Sequence, residues 1–124
     1  MVQVIAHRGY SAAAPENTLA AFLLAIERKC HLIELDLQFT RDLEPVVIHD
    51  PTVDRTTSGE GTVAGLSFRE ISQWDAGSWF DSVFEPERVP SLEQVLDQVR
   101  PTGVDLLIEL KESPPVDARL RPGG

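Results

Sequence analysis

Apolar and polar positions along the chain switch between a period of two and a period near 3.6, and the switches mark the elements. Val2 to Ala6 is a short apolar run that predicts a first strand, stopping at His7-Arg8-Gly9. Leu19, Phe22, Leu23 and Ile26 then recur on one helical face behind Pro15-Glu16-Asn17-Thr18. This predicts an amphipathic helix with an Asn or Thr N-cap and the cations Arg28 and Lys29 at its end. Leu32 to Phe39 sets Ile33, Leu35, Leu37 and Phe39 against Leu32, Glu34, Asp36 and Gln38, the period of a second strand. Pro45 to Asp50 is expected to be a third strand, after a turn through Arg41 to Glu44.

Order weakens from Pro51 to about Pro90, which predicts an excursion from the sheet rather than a separate domain. Ser67-Phe68-Arg69-Glu70 and Ser91-Leu92-Glu93-Gln94 are capping boxes, each opening a helix, and Arg100-Pro101-Thr102-Gly103 ends the second. Val104 to Lys111 predicts a fourth strand. The remainder, 113–124, is expected to be an irregular tail from a truncation or frameshift, because Glu112 to Gly124 holds three prolines and two glycines. Alternating strands and helices imply an α/β protein with a parallel sheet.

Composition narrows the class. With 42% hydrophobic and 25% charged residues, the 124-residue chain reads as globular rather than disordered or collagen-like. No apolar run approaches the roughly 18 to 20 residues of a transmembrane segment, and no leader precedes the first strand, so the expectation is a soluble, cytoplasmic protein. Cys30, the single cysteine, fits a free core or helix-end thiol. Twenty acidic residues against eleven basic ones, a net charge of −9, argue against nucleic acid or an anionic membrane as partner.

The chemistry gathers at strand ends. Glu34 and Asp36, two residues apart, leave one face of the second strand roughly 7 Å apart. That face is either simply solvated or a site whose acids need a cation. The fourth strand puts Asp105, Leu107, Glu109 and Lys111 on one face and Leu106, Ile108 and Leu110 on the other. Glu34, Asp36 and Glu109 can then surround one hard divalent cation, Mg²⁺ or Ca²⁺, since all-oxygen ligation suits these better than zinc. His7 and His49 close the first and third strands, where loops of parallel α/β folds build active sites, and are candidate acid and base. His31 lies at the opposite end and receives no role. Arg8 and Lys111 can bind phosphate oxygens and are expected to make the site locally positive. Together these residues suggest a metal-assisted phosphoryl or related ester hydrolase.

His7-Arg8-Gly9, Pro15-Glu16-Asn17-Thr18, Ile33-Glu34-Leu35-Asp36, Val46-Val47-Ile48-His49-Asp50, Asp54-Arg55-Thr56-Thr57-Ser58-Gly59, Pro90-Ser91-Leu92-Glu93 and Ile108-Glu109-Leu110-Lys111 resemble, in order and spacing, the glycerophosphodiester phosphodiesterase family. The likeness runs from residue 2 to about 112. It implies a TIM-type (β/α)₈ barrel, of which this chain holds only the first half, about four strands, with a small insertion at 51–89 after the third. It also implies hydrolysis of glycerophosphodiesters to sn-glycerol 3-phosphate and an alcohol, in lipid metabolism. By the same resemblance, Glu34, Asp36 and Glu109 match metal ligands, His7 and His49 the catalytic pair, and Arg8 and Lys111 the phosphate-contacting cations. Leu43 stands where the family usually has glycine, in a turn that a left-handed backbone would strain.

Two other readings stand beside this one. An open barrel edge suits a catalytically silent fragment or interaction module that self-associates. A lysophospholipid or sphingomyelin substrate would keep the superfamily but change the chemistry released; the intact His-Arg-Gly and the glutamate as third acid favour the glycerophosphodiester.

Overall fold

The computed structural model describes residues 3–111, so the expected irregular tail and the start of the first strand at Val2 lie outside the described residues. Strand β2 (Leu32–Phe39) is the centre of a four-stranded sheet. Strand β1 (Ile5–His7) runs parallel to it, pairing Ile5 with Leu32 and His7 with Glu34. Strand β4 (Asp105–Leu110) is also parallel, in a register from Leu32 opposite Asp105 to Leu37 opposite Leu110. The Lys111 N–H extends that ladder to the Leu37 carbonyl at 3.0 Å.

Strand β3 departs from expectation. It covers only Pro45–Val47 and runs antiparallel to β2, with Leu37 opposite Val47 and Phe39 opposite Pro45. A parallel neighbour needs a crossover of about a dozen residues or more, and the short Thr40–Glu44 turn permits only a return. Leu37 pairs with both Val47 and Leu110, so β3 lies on the β1 side of β2. The parallel set is therefore β1, β2 and β4.

The helices form where caps and apolar spacing coincide. In α1 (Leu19–Glu27) the Thr18 hydroxyl accepts the Ala21 N–H at 3.2 Å, and Lys29 turns left-handed (φ 59°) just past the end. Phe22 and Ala25 are fully buried against Ile33 and Leu35 of β2. In α3 (Leu92–Val99) the Ser91/Gln94 capping box holds, and Val95 and Val99 enter the same core. Cys30 is buried there as a free thiol. Each large side chain so placed contributes about 1.5–3 kcal/mol.

The segment after β3 packs a second core on the other side of that strand. Val47 belongs to the first core, while Val46 and Ile48 join Val53, Val63, Ile71 and Val89 in the second. Its one α-turn, α2 (Phe68–Ile71), carries the Ser67/Glu70 capping box. Glu87 ties this segment to α1, its carboxylate accepting the Ala20 N–H at 3.0 Å. Both faces of β2 are thus covered along its middle, and that brings acids out of water. On β4, by contrast, Leu106 reaches the core but Ile108 and Leu110 stay 41% and 49% exposed.

Candidate active site

Parallel register places the acids. Because Asp36 is the partner of Glu109 and Glu34 that of Leu107, the polar side chains of β2 and β4 leave the sheet on one side in adjacent rows. One ligand oxygen from each of Glu34, Asp36 and Glu109 lies within 4.8 Å of the others. The face is not solvated along β2: Glu34, Asp36 and Gln38 are all buried. Burial, followed by the negative charge of Asp36, pushes the Glu34 carboxyl above its ordinary value. Asp36 Oδ1 is buried without a hydrogen bond, and its nearest cation, Lys111 Nζ, is 3.4 Å away. An orphaned carboxylate oxygen beside two further acids, an all-oxygen donor set, fits a hard divalent cation.

Tight backbone turns bring in the bases. Arg8 (φ 58°) and Gly9 (φ 77°) are successive left-handed residues directly after β1. At Gly9 a Cβ would also stand 2.8 Å from that of Ala21, so the position requires glycine. The turn delivers the Arg8 N–H to Glu34 Oε1 at 3.1 Å and swings the guanidinium to Asp36 (Nε to Oδ2, 3.4 Å) and Glu16 (3.2 Å). His7 Nε2 stands 3.7 Å from Glu34 Oε1, its ring two-thirds exposed. Lys111 donates to Glu109 at 3.0 Å, and that contact first, then Asp36, raises its pKa.

His49 arrives differently from the expected equivalence with His7. It follows the antiparallel β3 rather than ending a parallel strand. Gln38 holds the segment by donating to the carbonyls of Ile48 and His49 at 3.3 and 3.0 Å and to that of Asp50. His49 Nδ1 is 2.8 Å from Asp50 Oδ1, and the residue shares a small pocket with Glu16, Asn17 and Thr18 of the loop before α1. His31, given no role, uses its Nδ1 to accept the Val4 N–H at 2.9 Å.

Four residues of the site, Glu16, Asn17, Asp50 and Arg55, were not singled out from sequence. Asn17, left-handed at φ 59°, donates its amide to Asp36 Oδ2 at 3.0 Å. Arg55 forks onto both Asp50 and Glu16, and those bonds hold Asp50 down to about 2 while raising the arginine's own pKa. As site residues their only sequence signal was membership of the motifs, because their partners lie on other elements of the chain. The charge of the whole cluster corrects one expectation. Counted ionised, Glu16, Glu34, Asp36, Asp50 and Glu109 face only Arg8, Arg55 and Lys111, so the cluster is not locally positive but two charges negative.

Residues 7–121 match the glycerophosphoryl diester phosphodiesterase family. The glycerophosphodiester phosphodiesterase of Caldanaerobacter subterraneus is 49% identical over 108 residues, which cover 87% of this chain and 44% of that protein. Human glycerophosphodiester phosphodiesterase 1 is 38% identical over 112 residues, 89% of this chain and 34% of that one. Among solved structures, a glycerophosphodiester phosphodiesterase from Agrobacterium tumefaciens superposes with a TM-score of 0.85 at 43% identity, covering 89% of this chain and 47% of that chain. An Oleispira antarctica phosphodiesterase in complex with the product sn-glycerol-3-phosphate gives 0.86 at 40%, covering 90% and 45%. The chain spans less than half the length of these relatives, over which its fold follows their TIM barrels. No helix among the described residues is long and apolar enough to cross a membrane. Likeness this extended, running in sequence through the residues that build the acidic cluster, means that the chain belongs to the glycerophosphoryl diester phosphodiesterase family.

Proposed function

We propose that this chain carries the metal-holding and acid–base part of a hydrolase that cleaves glycerophosphodiesters to sn-glycerol 3-phosphate and an alcohol. The observation that carries the reading is the convergence of Glu34, Asp36 and Glu109 beside Arg8, Lys111 and His7. The family, and a relative in complex with sn-glycerol-3-phosphate, support it. Glu34, Asp36 and Glu109 would hold a divalent cation, Mg²⁺ or Ca²⁺, which supplies Lewis-acid polarisation of a phosphoryl oxygen. The two-charge excess of the cluster equals the charge of one such ion, and balancing it lets a phosphodiester anion approach Arg8 and Lys111 without net repulsion.

Hydrolysis forms one P–O bond to the attacking oxygen and breaks one to the departing alkoxide. One histidine of the pair His7 and His49 takes the proton of the attacking oxygen, and the other delivers a proton to the alkoxide, a poor leaving group without it. Arg8 and Lys111 stabilise charge on the remaining phosphoryl oxygens. The test is release of glycerol 3-phosphate from glycerophosphocholine by the full chain, with and without chelator. Turnover lost on chelation and lowered about 10²–10⁴-fold by His7→Ala or His49→Ala is expected; undiminished activity in both variants would remove the proposed pair.

A second reading, a metal-binding or interaction module without turnover, is favoured by the exposed apolar side chains Ile5, Leu107, Ile108 and Leu110 on β1 and β4. Such surface invites another strand or a second copy. Chelator-sensitive turnover by the purified monomer would exclude it.

A further inference from the structure

Arg55 makes four hydrogen bonds to two carboxylates on two different loops. Its Nε and one terminal nitrogen reach Asp50 at 2.8 and 3.0 Å, and its two terminal nitrogens reach Glu16 at 3.0 and 2.9 Å. Among the described residues no other side chain donates to both acids. The planar guanidinium, with five donors in a fixed fork, allows this; an ammonium cannot pair bidentately with two carboxylates at once. Trp79 of the insertion lies over the guanidinium, its ring centroid 5.9 Å from Cζ.

Each acid has a second partner. Glu16 accepts from the Arg8 guanidinium at 3.2 Å, and Asp50 stands 2.8 Å from His49 Nδ1. A continuous chain therefore runs Arg8, Glu16, Arg55, Asp50, His49, with the arginine at its centre. A carboxylate fixed beside Nδ1 of a neutral imidazole keeps the proton on that nitrogen and leaves the Nε2 lone pair open. An aspartate free to rotate would not.

We propose that Arg55 is a positioning residue: by clamping Asp50 against Glu16 it fixes His49 in the Nδ1–H tautomer and anchors the Arg8 loop to the same frame. The inference rests on the reading of His49 and Arg8 as working residues of the site. The tautomer of His49 is a readout that a merely structural role for Arg55 would not move.

The test reads the imidazoles of the ¹⁵N-labelled full chain by long-range ¹H–¹⁵N correlation, at a pH where both rings are neutral, so it needs no turnover. His49 of the unaltered chain is expected as a single tautomer protonated at Nδ1. His31 serves as the fold reporter, because its Nδ1 accepts the Val4 N–H and its proton must therefore sit on Nε2. In Arg55→Gln, His49 is expected to spread into both tautomers while His31 is unmoved. An unchanged His49 tautomer beside an unchanged His31, or a mixture already present in the unaltered chain, would overturn the proposal. Should Arg55→Gln lose the His31 signature, Arg55→Lys, which keeps the charge without the double fork, is measured in its place: a spread His49 supports the clamp and an unchanged one overturns it. Failure of the catalytic reading shows up separately, as undiminished turnover in His7→Ala and His49→Ala.

Discussion

Asp36 on β2 and Glu109 on β4 are register partners across parallel strands, yet one side chain is fully buried and the other 54% exposed. The pair joins the inside of the sheet to its rim, and Lys111 bridges it with contacts of 3.4 and 3.0 Å. Asp36 and Glu109 are the acids that β2 and β4 would each contribute, with Glu34, to holding a cation there. Asp36→Asn is expected to abolish the upward shift in Tm that Mg²⁺ or Ca²⁺ confers. A ligand at a hundred times its Kd raises stability by about 2.7 kcal/mol, several degrees in a domain this size. An Asn variant that keeps the cation-induced shift would remove Asp36 from the ligand set.

Glu34 gives a prediction of opposite sign. Its carboxyl is held above the ordinary value by burial first and by Asp36 second. A raised folded-state pKa means that the folded state binds the proton more tightly than the unfolded one, so ionisation costs stability above that pKa and the cost disappears as pH falls through it. Glu34→Gln should therefore raise the Tm of the cation-free protein at neutral pH and flatten its rise on mild acidification. The same variant should weaken the cation-induced shift. A Glu34→Gln protein less stable than the parent without cation would contradict the buried-charge account.

Asp50 behaves in the ordinary carboxylate sense. Hydrogen bonds from Arg55, then from His49, depress it to about 2, so its contribution is complete above the unfolded value near 3.9 and is lost as pH falls from there through about 2. Acid titration of Tm should show this loss, and Arg55→Gln should remove most of it within that window. A variant with the parent's acid limb would assign the limb to other carboxylates, such as Asp75, which Ser78 and two backbone N–H groups hold low.

How far the sequence could be read divides along physical lines. Period-two alternation in 32–39 announced Glu34, Asp36 and Gln38 as one face, and the capping boxes at Ser67 and Ser91 announced α2 and α3, because each signal is local. The direction of β3 was not legible from its own residues. Pro45-Val46-Val47 reads as a strand in either orientation, and only the length of the preceding turn decides. Arg55 was hidden for a similar reason: its partners lie 39 residues upstream at Glu16 and five at Asp50, and only the folded loops bring them together. The sign of the site's charge was misread for a different reason: Glu34, Asp36 and Glu109 already outnumber Arg8 and Lys111 by one, and Glu16 and Asp50 against Arg55 only deepen the excess to two.

The turn that reverses the chain into β3 holds a correctable strain. Leu43 sits at φ 63°, in the left-handed region, with its N–H bonded to the Thr40 carbonyl at 2.9 Å and its side chain 51% exposed. For a residue with a Cβ that conformation costs roughly 1–2 kcal/mol, against the roughly 0.5–1 kcal/mol of extra unfolded-state entropy that glycine brings. Little packing is lost with an exposed leucine. Leu43→Gly is therefore expected to stabilise the chain by about 0.5–1 kcal/mol and to raise Tm by a few degrees. Leu43→Ala, which trims the side chain but keeps the Cβ, should give no such gain. Equal Tm changes in the two variants would place the effect in the lost apolar surface and not in the backbone, whereas a gain confined to glycine identifies Leu43 as a strained turn residue at the entry to the strand that delivers His49.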